Sequence, residues 1–387
     1  MIKVINEKDC CGCSACSVVC PQRCISMKEG TLGSLFPVVD EKKCVECGKC
    51  NSVCPVLNKF ETKRTENSAY AAYANEENIR KRGSSGGMIE VFSRYLIQKK
   101  YTVYGAAFDE NLKLKCTKAE EIEQLFPLLK SKYLQSDLSE KYLEIESKLK
   151  NGEGILFVST PCQVLSLKLF LKKEYEKLIT IDFFCHGVGS QKFFDECRAY
   201  DEKKHNIKIK KFVFREKKKN GSTPHYFSIN DGKAKIYYNS VFYMAFQKYI
   251  CLRESCYDCI FSGKTRYSDI TVGDFHEIDK YVDKINRFDG VSTVIVNTEK
   301  GKKLFEEIKD NLTTYEIGLQ RLIDDGVCFC GGTKKPPKRN EFIKSYNEDD
   351  FDNFVNKHLN KKEYRIQDIY YRLPLFLRKI LKKVMGI

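Results

Sequence analysis

Eight cysteines at the front of this 387-residue chain have the spacing to hold iron and sulfide. Cys10, Cys13, Cys16 and Cys20 are followed by Pro21, and Cys44, Cys47, Cys50 and Cys54 by Pro55, so one run, C-x2-C-x2-C-x3-C-P, occurs twice. Three closely spaced thiolates wrap three corners of one cubane, and the extra residue carries the fourth away toward a neighbouring cubane. The expected ligand sets therefore cross. Cys10, Cys13, Cys16 and Cys54 hold one [4Fe–4S] cluster, and Cys44, Cys47, Cys50 and Cys20 hold the second. Pro21 and Pro55 stop each short helical turn. The small residues between ligands (Gly12, Ser14, Ala15, Gly48, Ser52) let backbone N–H groups approach the sulfurs. Paired zinc sites have no use for a doubled four-cysteine run ending in proline, and a disulfide framework does not explain the repeat. Cys11 and Cys24 lie outside the pattern and read as small buried fillers.

Such a doubled run is that of bacterial two-cluster ferredoxins, which it resembles over residues 1–60. Thiolates of this kind need a reducing compartment. Met1 leads almost directly into the first motif, which leaves no room for a leader, and no apolar run approaches 18 residues. The expected location is the cytoplasm. Hydrophobic residues make up 42% and charged residues 31% of the chain, as in globular proteins with a substantial core. The formal charge of +15 overstates the field, because each cluster adds about −2. Its lysines form no aromatic-interleaved stripe, so nucleic acid is not an expected partner.

Residues 61–68 read as a linker. Beyond it, strand-like runs at 69–74, 102–108, 155–159, 179–184, 211–214, 270–273 and 291–297 alternate with helical patterns at 87–98, 139–150, 163–173, 191–204, 241–250 and 300–310. This predicts a mixed α/β body, its first part at 69–152 and its second at 153–330, behind the ferredoxin-like module. Segments 226–229 and 235–238 around Asn230-Asp231-Gly232 predict a hairpin. Cys328-x-Cys330 reads as a packed turn. Residues 331–387 hold a basic connector and a C-terminal amphipathic helix at 373–387. That helix docks on the body or a partner, or lies on an anionic membrane surface.

Chemistry in the body concentrates at strand ends and glycine-rich turns. Arg82-Gly83-Ser84-Ser85-Gly86-Gly87 opens a helix, a place suited to a phosphate. Lys130-Ser131-Lys132-Tyr133-Leu134-Gln135-Ser136 sets cations and hydroxyls before another. Val158-Ser159-Thr160-Pro161-Cys162-Gln163 and Ile181-Asp182-Phe183-Phe184-Cys185-His186-Gly187 each end a strand, where α/β sheets bind ligands. Cys256-x2-Cys259 precedes Arg266 and the strand Asp269-Ile270-Thr271-Val272-Gly273-Asp274-Phe275. Asp182 and Asp274 either touch a ligand or cap a turn.

Taken in order, SSGG, KSKYLQS, VSTPCQV, IDFFCHGV, CYDCIF and SDITVGDF resemble the beta-subunit family of coenzyme F-420 (deazaflavin) hydrogenases and dehydrogenases, over residues 68–330. The resemblance implies bound FAD, with Ser84, Ser85, Gly86, Gly87, Lys132, Tyr133, Gln135 and Ser136 around the nucleotide and Thr160 beside it. It also implies that Cys162, Cys185, Cys256 and Cys259 gather a third [4Fe–4S] cluster, the alternative for Cys162 being an active-site thiol. Two departures, His276 in place of tryptophan and the lysine-rich stretch after Phe214-Arg215-Glu216-Lys217, fall where an electron-accepting substrate docks.

The function expected is that of an iron–sulfur flavoprotein oxidoreductase. Its flavin exchanges electrons with the clusters and with an organic substrate, either the deazaflavin or another acceptor such as one from a surface-polysaccharide pathway, with which some relatives of this fused form are associated. A flavin is needed because a two-electron substrate cannot trade directly with a one-electron cluster. His186 is the candidate proton donor. The alternative is an electron-transfer subunit that serves a separate catalytic partner and shares every motif. The redox partner is a protein or a small molecule, and oligomeric state is open.

Overall fold

The computed structural model describes residues 1–61, 64–217, 226–230, 240–283, 285, 289–327, 331–359 and 377. The N-terminal module holds helices α1 (Ala15–Val19) and α2 (Lys49–Ser52), one within each cysteine run, and an antiparallel ribbon, β1 (Ile25–Glu29) with β2 (Leu35–Val39). The body follows as β3 (Arg64–Ala74), α3 (Glu77–Arg82), α4 (Met88–Gln98), β4 (Tyr101–Phe108), β5 (Leu114–Ala119), α5 (Lys141–Lys150), β6 (Gly154–Val158), α6 (Pro161–Leu171), β7 (Leu178–Phe183), α7 (Gln191–His205), β8 (Phe212–Glu216), β9 (Tyr226–Ile229) and α8 (Val241–Gln247). After these come β10 (Ile270–Asp274), β11 (Ser292–Thr298), α9 (Glu299–Ile308), β12 (Leu312–Ile317), α10 (Leu319–Asp324), α11 (Arg339–Glu348) and α12 (Phe351–His358).

Eight strands form one mixed sheet in the order β12-β3-β11-β10-β7-β6-β4-β5. Its centre is parallel: β4 pairs with β6, β6 with β7 and β7 with β10. The flanking pairs are antiparallel. Central strands are covered on both faces, which is why β6 reads Gly-Ile-Leu-Phe-Val without polar alternation. Proline at the start of α6 suits the first helical turn, and nearly every residue of that helix is buried. The parallel arrangement brings the C-terminal ends of β6, β7 and β10 to one edge of the sheet. Asp269, just before β10, ties β7, β10 and β11 together from inside: its Oδ2 accepts from Thr180 N and Thr180 Oγ1, both at 2.7 Å, and its Oδ1 accepts from Thr298 Oγ1 at 2.6 Å.

The mixed α/β architecture expected from the alternation is the one observed. Several boundaries differ. The linker is shorter than 61–68, because β3 begins at Arg64 and Arg64 already pairs with Thr298. Segment 226–229 pairs with β8; residues 235–238, the other half of the expected hairpin, lie outside the described residues, as do Cys328, Cys330 and all of the 373–387 helix but Leu377. The basic connector is anchored. Arg339 is buried, donating to the Ile250 and Leu252 carbonyls, and α11 and α12 send Phe342 and Phe354 into an aromatic cluster with Phe193. β5 and β12 were not read from the sequence, being short edge strands with polar faces. Among the described residues no helix is long and apolar enough to cross a membrane.

Replacing Asp269 by Ala leaves the Thr180 amide and two hydroxyls without their acceptor, each a buried group worth about 1–3 kcal/mol. Asp269→Ala is expected to lose about 2–4 kcal/mol of stability, read as a lowered thermal midpoint, with Asp269→Asn losing less.

Candidate functional site

The module carries two hollows. One is walled by Cys10, Cys13, Cys16 and Cys54 together with Cys11, Ile2, Val4, Met27 and Val56. The other is walled by Cys20, Cys44, Cys47 and Cys50 with Cys24, Met1, Ile2, Ile25 and Val39. Each hollow thus gathers the four cysteines of one crossed set and a fifth sulfur beside them. Left-handed residues, Ser14 and Gly48, precede α1 and α2 and turn the chain round each hollow. Backbone N–H groups point at the sulfurs, as at Gly12 toward Cys10 Sγ (3.3 Å) and at Val56 and Leu57 toward Cys54. This is the environment that favours thiolate ligands over thiols. Burial pushes Cys10 up to about 11 and raises Cys16 and Cys54 as well, so iron has to displace protons when it binds. Among the described residues no three His, Cys, Asp or Glu side chains form a cage for a single ion. A cubane asks for something different, sulfurs spaced around a hollow, one per iron.

The two hollows differ in setting. Cys47 is exposed and Cys20 and Cys44 are half-buried, so the second hollow faces outward. The first is pressed against the body. Gln135 Nε2 donates to the Cys11 and Gly12 carbonyls (2.6 and 3.0 Å), Tyr142 Oη to the Cys13 carbonyl (2.8 Å), and Ser255 Oγ to the Cys10 carbonyl (2.9 Å). Gly12, at φ +66°, has to be glycine: a Cβ there would stand 2.8 Å from Gln135 Oε1 and collide with the Arg253 guanidinium. Cys11 and Cys24 are buried as expected, and both also touch neighbouring sulfurs. Cys24 Sγ is 3.4 Å from Cys20 Sγ, and the Cys11 thiol lies within hydrogen-bonding reach of Cys13 and Cys162.

A second gathering of cysteines sits at the sheet edge behind that contact. Cys162 opens α6 after β6, Cys185 follows β7, and Cys256 and Cys259 come from the loop before β10. The Cys162, Cys256 and Cys259 sulfurs are all near enough to Cys185 to raise its pKa, after burial itself. Gly187, at φ +116°, lets the chain after Cys185 fold onto Cys256, where a Cβ would come within 3.0 Å of the Cys256 Cβ. Ser262 Oγ donates to the Cys185 carbonyl (3.2 Å). Three segments far apart in sequence, two of them at strand ends and one in the loop before β10, thus bring four cysteines together next to the module.

The residues named for a nucleotide divide into two groups. Ser84 and Ser131 meet: Ser131 N and Oγ lie 2.8 and 3.1 Å from Ser84 Oγ. Ser85 Oγ donates to the Val291 carbonyl (2.6 Å), and Gly86 N donates to Ser292 Oγ (2.9 Å), tying the turn to the start of β11. Gly87, in a left-handed conformation, leads directly into α4. Arg215 closes this group, donating to the Ser84 carbonyl (3.1 Å) and to Asp274 Oδ2 (2.7 Å), and it also reaches the Tyr133 hydroxyl. Tyr133 stacks on Phe246 with ring centres 4.2 Å apart. Lys132 Nζ is enclosed, donating to the Pro127 and Leu129 carbonyls, and burial together with Lys130 pushes it down to about 7. Lys217 is likewise pushed down to about 7 by burial, Arg80 and Arg215. Gln135, Ser136 and Thr160 lie elsewhere. Gln135 is at the module contact, while Ser136 and Thr160 hydroxyls meet Gln163 Oε1 beside Cys162.

His186 is exposed at the mouth of this edge, where it feels Asp274 and His276, and desolvation lowers its pKa. The two aspartates part company. Asp182 is buried under Thr271 (2.6 Å) and Arg266 (3.6 Å), a structural role, while Asp274 stands at the strand end with Arg215 and His276. Arg215, Lys217 and Arg253 were not singled out from the sequence. Nothing in a lone basic residue within a lysine-rich chain marks it as buried.

The crossed geometry makes a sharp prediction. Cys13→Ser and Cys54→Ser should alter the same electron paramagnetic resonance signal of the reduced protein, and Cys47→Ser and Cys20→Ser should alter the other. Cys20→Ser and Cys13→Ser sharing one signal would exclude the crossing.

Residues 152–318 match the C terminus of the coenzyme F420 hydrogenase/dehydrogenase beta subunit. Residues 9–58 match a 4Fe-4S dicluster domain, and an overlapping dicluster match covers residues 36–87. No curated protein matches. Among solved structures, a chain from the xenon-derivatised F420-reducing [NiFe] hydrogenase complex of Methanosarcina barkeri is 17% identical, with a TM-score of 0.45, over 72% of this chain and 98% of that one. Residues 9–58 are thus similar to a 4Fe-4S dicluster domain, and residues 152–318 to the C terminus of the coenzyme F420 hydrogenase/dehydrogenase beta subunit.

Proposed function

We propose that this chain is an iron–sulfur flavoprotein oxidoreductase that conducts electrons from an outer site, through an inner one, to a flavin beside the sheet edge. The observation that carries the reading is the sequence of cysteine groups. An outward-facing set (Cys20, Cys44, Cys47, Cys50), of which Cys47 is exposed, leads to a set pressed on the body (Cys10, Cys13, Cys16, Cys54). That set leads to Cys162, Cys185, Cys256 and Cys259 at the strand ends. The last four would hold a third [4Fe–4S] cluster, since four convergent, largely enclosed thiols have no other partner in common.

The donor set of the Ser84–Gly87 turn fits a flavin nucleotide. Lys132 has no carboxylate partner among the described residues, and Lys217 donates to the Arg80, Ser85 and Asp289 carbonyls. Enclosed cations held to neutral carbonyls call for an anion, and a phosphate supplies one. Ser84, Ser85, Gly86 and Gly87 would bind the nucleotide with Lys132, Arg215 and Lys217, and Tyr133 would pack beside it. A bound flavin supplies the junction between one-electron clusters and a two-electron organic substrate. His186, with its pKa lowered, is neutral near pH 7 and takes up or delivers a proton at the exposed edge. Asp274 holds Arg215, and His276 stands alongside where the substrate, a deazaflavin or another hydride acceptor, would arrive.

Protein purified without air tests this directly. Iron and sulfide should approach about twelve atoms each per chain, with an extractable flavin. About eight irons would remove the third cluster, and a brown protein without flavin would remove the substrate-reducing role. The lysines add a pH signature. In the flavin-free protein both are largely neutral above pH 7, and a bound phosphate restores their charge, so binding takes up protons and weakens as pH rises. Each lysine contributes at most about tenfold per pH unit between pH 7 and 9. Lys132→Met should weaken flavin retention and flatten that slope, measured by equilibrium dialysis; an unchanged slope argues against Lys132 as the phosphate ligand.

A further inference from the structure

Among the described residues five Lys or Arg side chains are buried: Lys168, Arg215, Arg253, Arg266 and Arg339. Taking a cation out of water is costly unless an anion accompanies it. Four of the five obey that rule. Lys168 faces Glu174 at 3.3 Å, Arg215 faces Asp274 at 2.7 Å, Arg266 faces Asp182 at 3.6 Å and Arg339 faces Glu254 at 3.8 Å.

Arg253 is different. It is 3% exposed, and it faces no carboxylate among the described residues. Its Nε donates to Gln135 Oε1 at 2.8 Å and its Nη1 to the Cys10 carbonyl at 3.1 Å, both neutral acceptors. A guanidinium does not shed its proton in a protein, so the charge remains and needs a counter-charge. Both cysteine groups meet at it. Gly12 of the first ligand loop lies against the guanidinium and its Nη1 meets the Cys10 carbonyl, while on the body side Arg253 opens the turn that carries Cys256, whose N–H donates to the Arg253 carbonyl at 3.0 Å. Arg253 therefore stands at the junction of the inner module hollow and the four-cysteine centre of the body, while the outward hollow is walled by other residues.

We propose that Arg253 is the shared counter-ion of the inner module cluster and of the body's cysteine-held cluster, and that its charge raises the reduction potentials of both. The proposal rests on the reading that Cys162, Cys185, Cys256 and Cys259 hold a cluster. Reduction adds a negative charge to a cluster, and a fixed cation in a poorly polarisable interior favours that added charge far more than it would in water. One cation placed between two centres lifts both, so an electron crossing from module to body meets no large step. Gln135 is the positioning residue: it holds Nε through its oxygen and the Cys11 and Gly12 carbonyls through its nitrogen.

The test is potentiometric titration of the anaerobically purified full chain, followed by electron paramagnetic resonance, with the outward cluster identified through Cys47→Ser. Arg253→Gln should shift the midpoints of the inner and body clusters to more negative values and leave the outward one in place, while Arg253→Lys should retain most of the native midpoints. Gln135→Glu sets a carboxylate against the guanidinium without removing it and should shift the same two midpoints the same way. It therefore decides the matter even if Arg253→Gln fails to retain iron. Unmoved inner and body midpoints, or a shift confined to the outward cluster, would overturn the proposal. Iron counting on the wild-type chain separates the two readings. About twelve irons with unmoved midpoints defeats the counter-ion role alone, whereas about eight removes the body cluster and with it any shared role.

Discussion

Four parallel strands side by side oblige the segments that leave them to meet at one edge. Residues 159–163 after β6, 184–187 after β7 and 274–276 after β10 are neighbours because the strands they follow share a direction. The antiparallel strands add to the same edge: β3 delivers the Ser84–Gly87 turn, and β11 starts there with Val291 and Ser292 as its anchors. Removing the parallel centre would scatter every group discussed above. The buried Asp269 that pins β7, β10 and β11 is thus as important to the site as any residue facing it.

The module is seated by its ligand loop. Four body side chains, Gln135, Tyr142, Arg253 and Ser255, use the carbonyls of Cys10 to Cys13 as acceptors. The same backbone that turns one set of thiolates inward also fastens the module to the body. Rigid attachment at this point matters because electron transfer between centres falls steeply with separation. The outward set, by contrast, keeps Cys47 exposed, which suits exchange with a partner that comes and goes.

Charge is distributed by the same logic. Buried cations with carboxylates (Lys168, Arg215, Arg266, Arg339) hold the architecture together, whereas Lys132 and Arg253 face no carboxylate among the described residues and are held by neutral acceptors. Under the proposed function, these two are the cations that stand opposite phosphate and cluster.

Much of this was legible in the residues. Cysteine spacing is local, so the eight N-terminal cysteines that wall the two hollows could be picked out without the fold. Apolar runs between helical patterns were enough for a mixed α/β body, although polar edge strands such as β5 and β12 escaped, since a half-exposed strand leaves only a weak alternation. Which distant groups touch was another matter. That Gln135 serves the module contact while Ser84 meets Ser131, that segment 226–229 pairs with β8, and that Arg253 is buried without a carboxylate depend on strand order and loop closure. Chain distance carries no record of these. Local chemistry was written into the order of residues; the company each residue keeps came from packing, because burial and proximity exist only once the chain has folded.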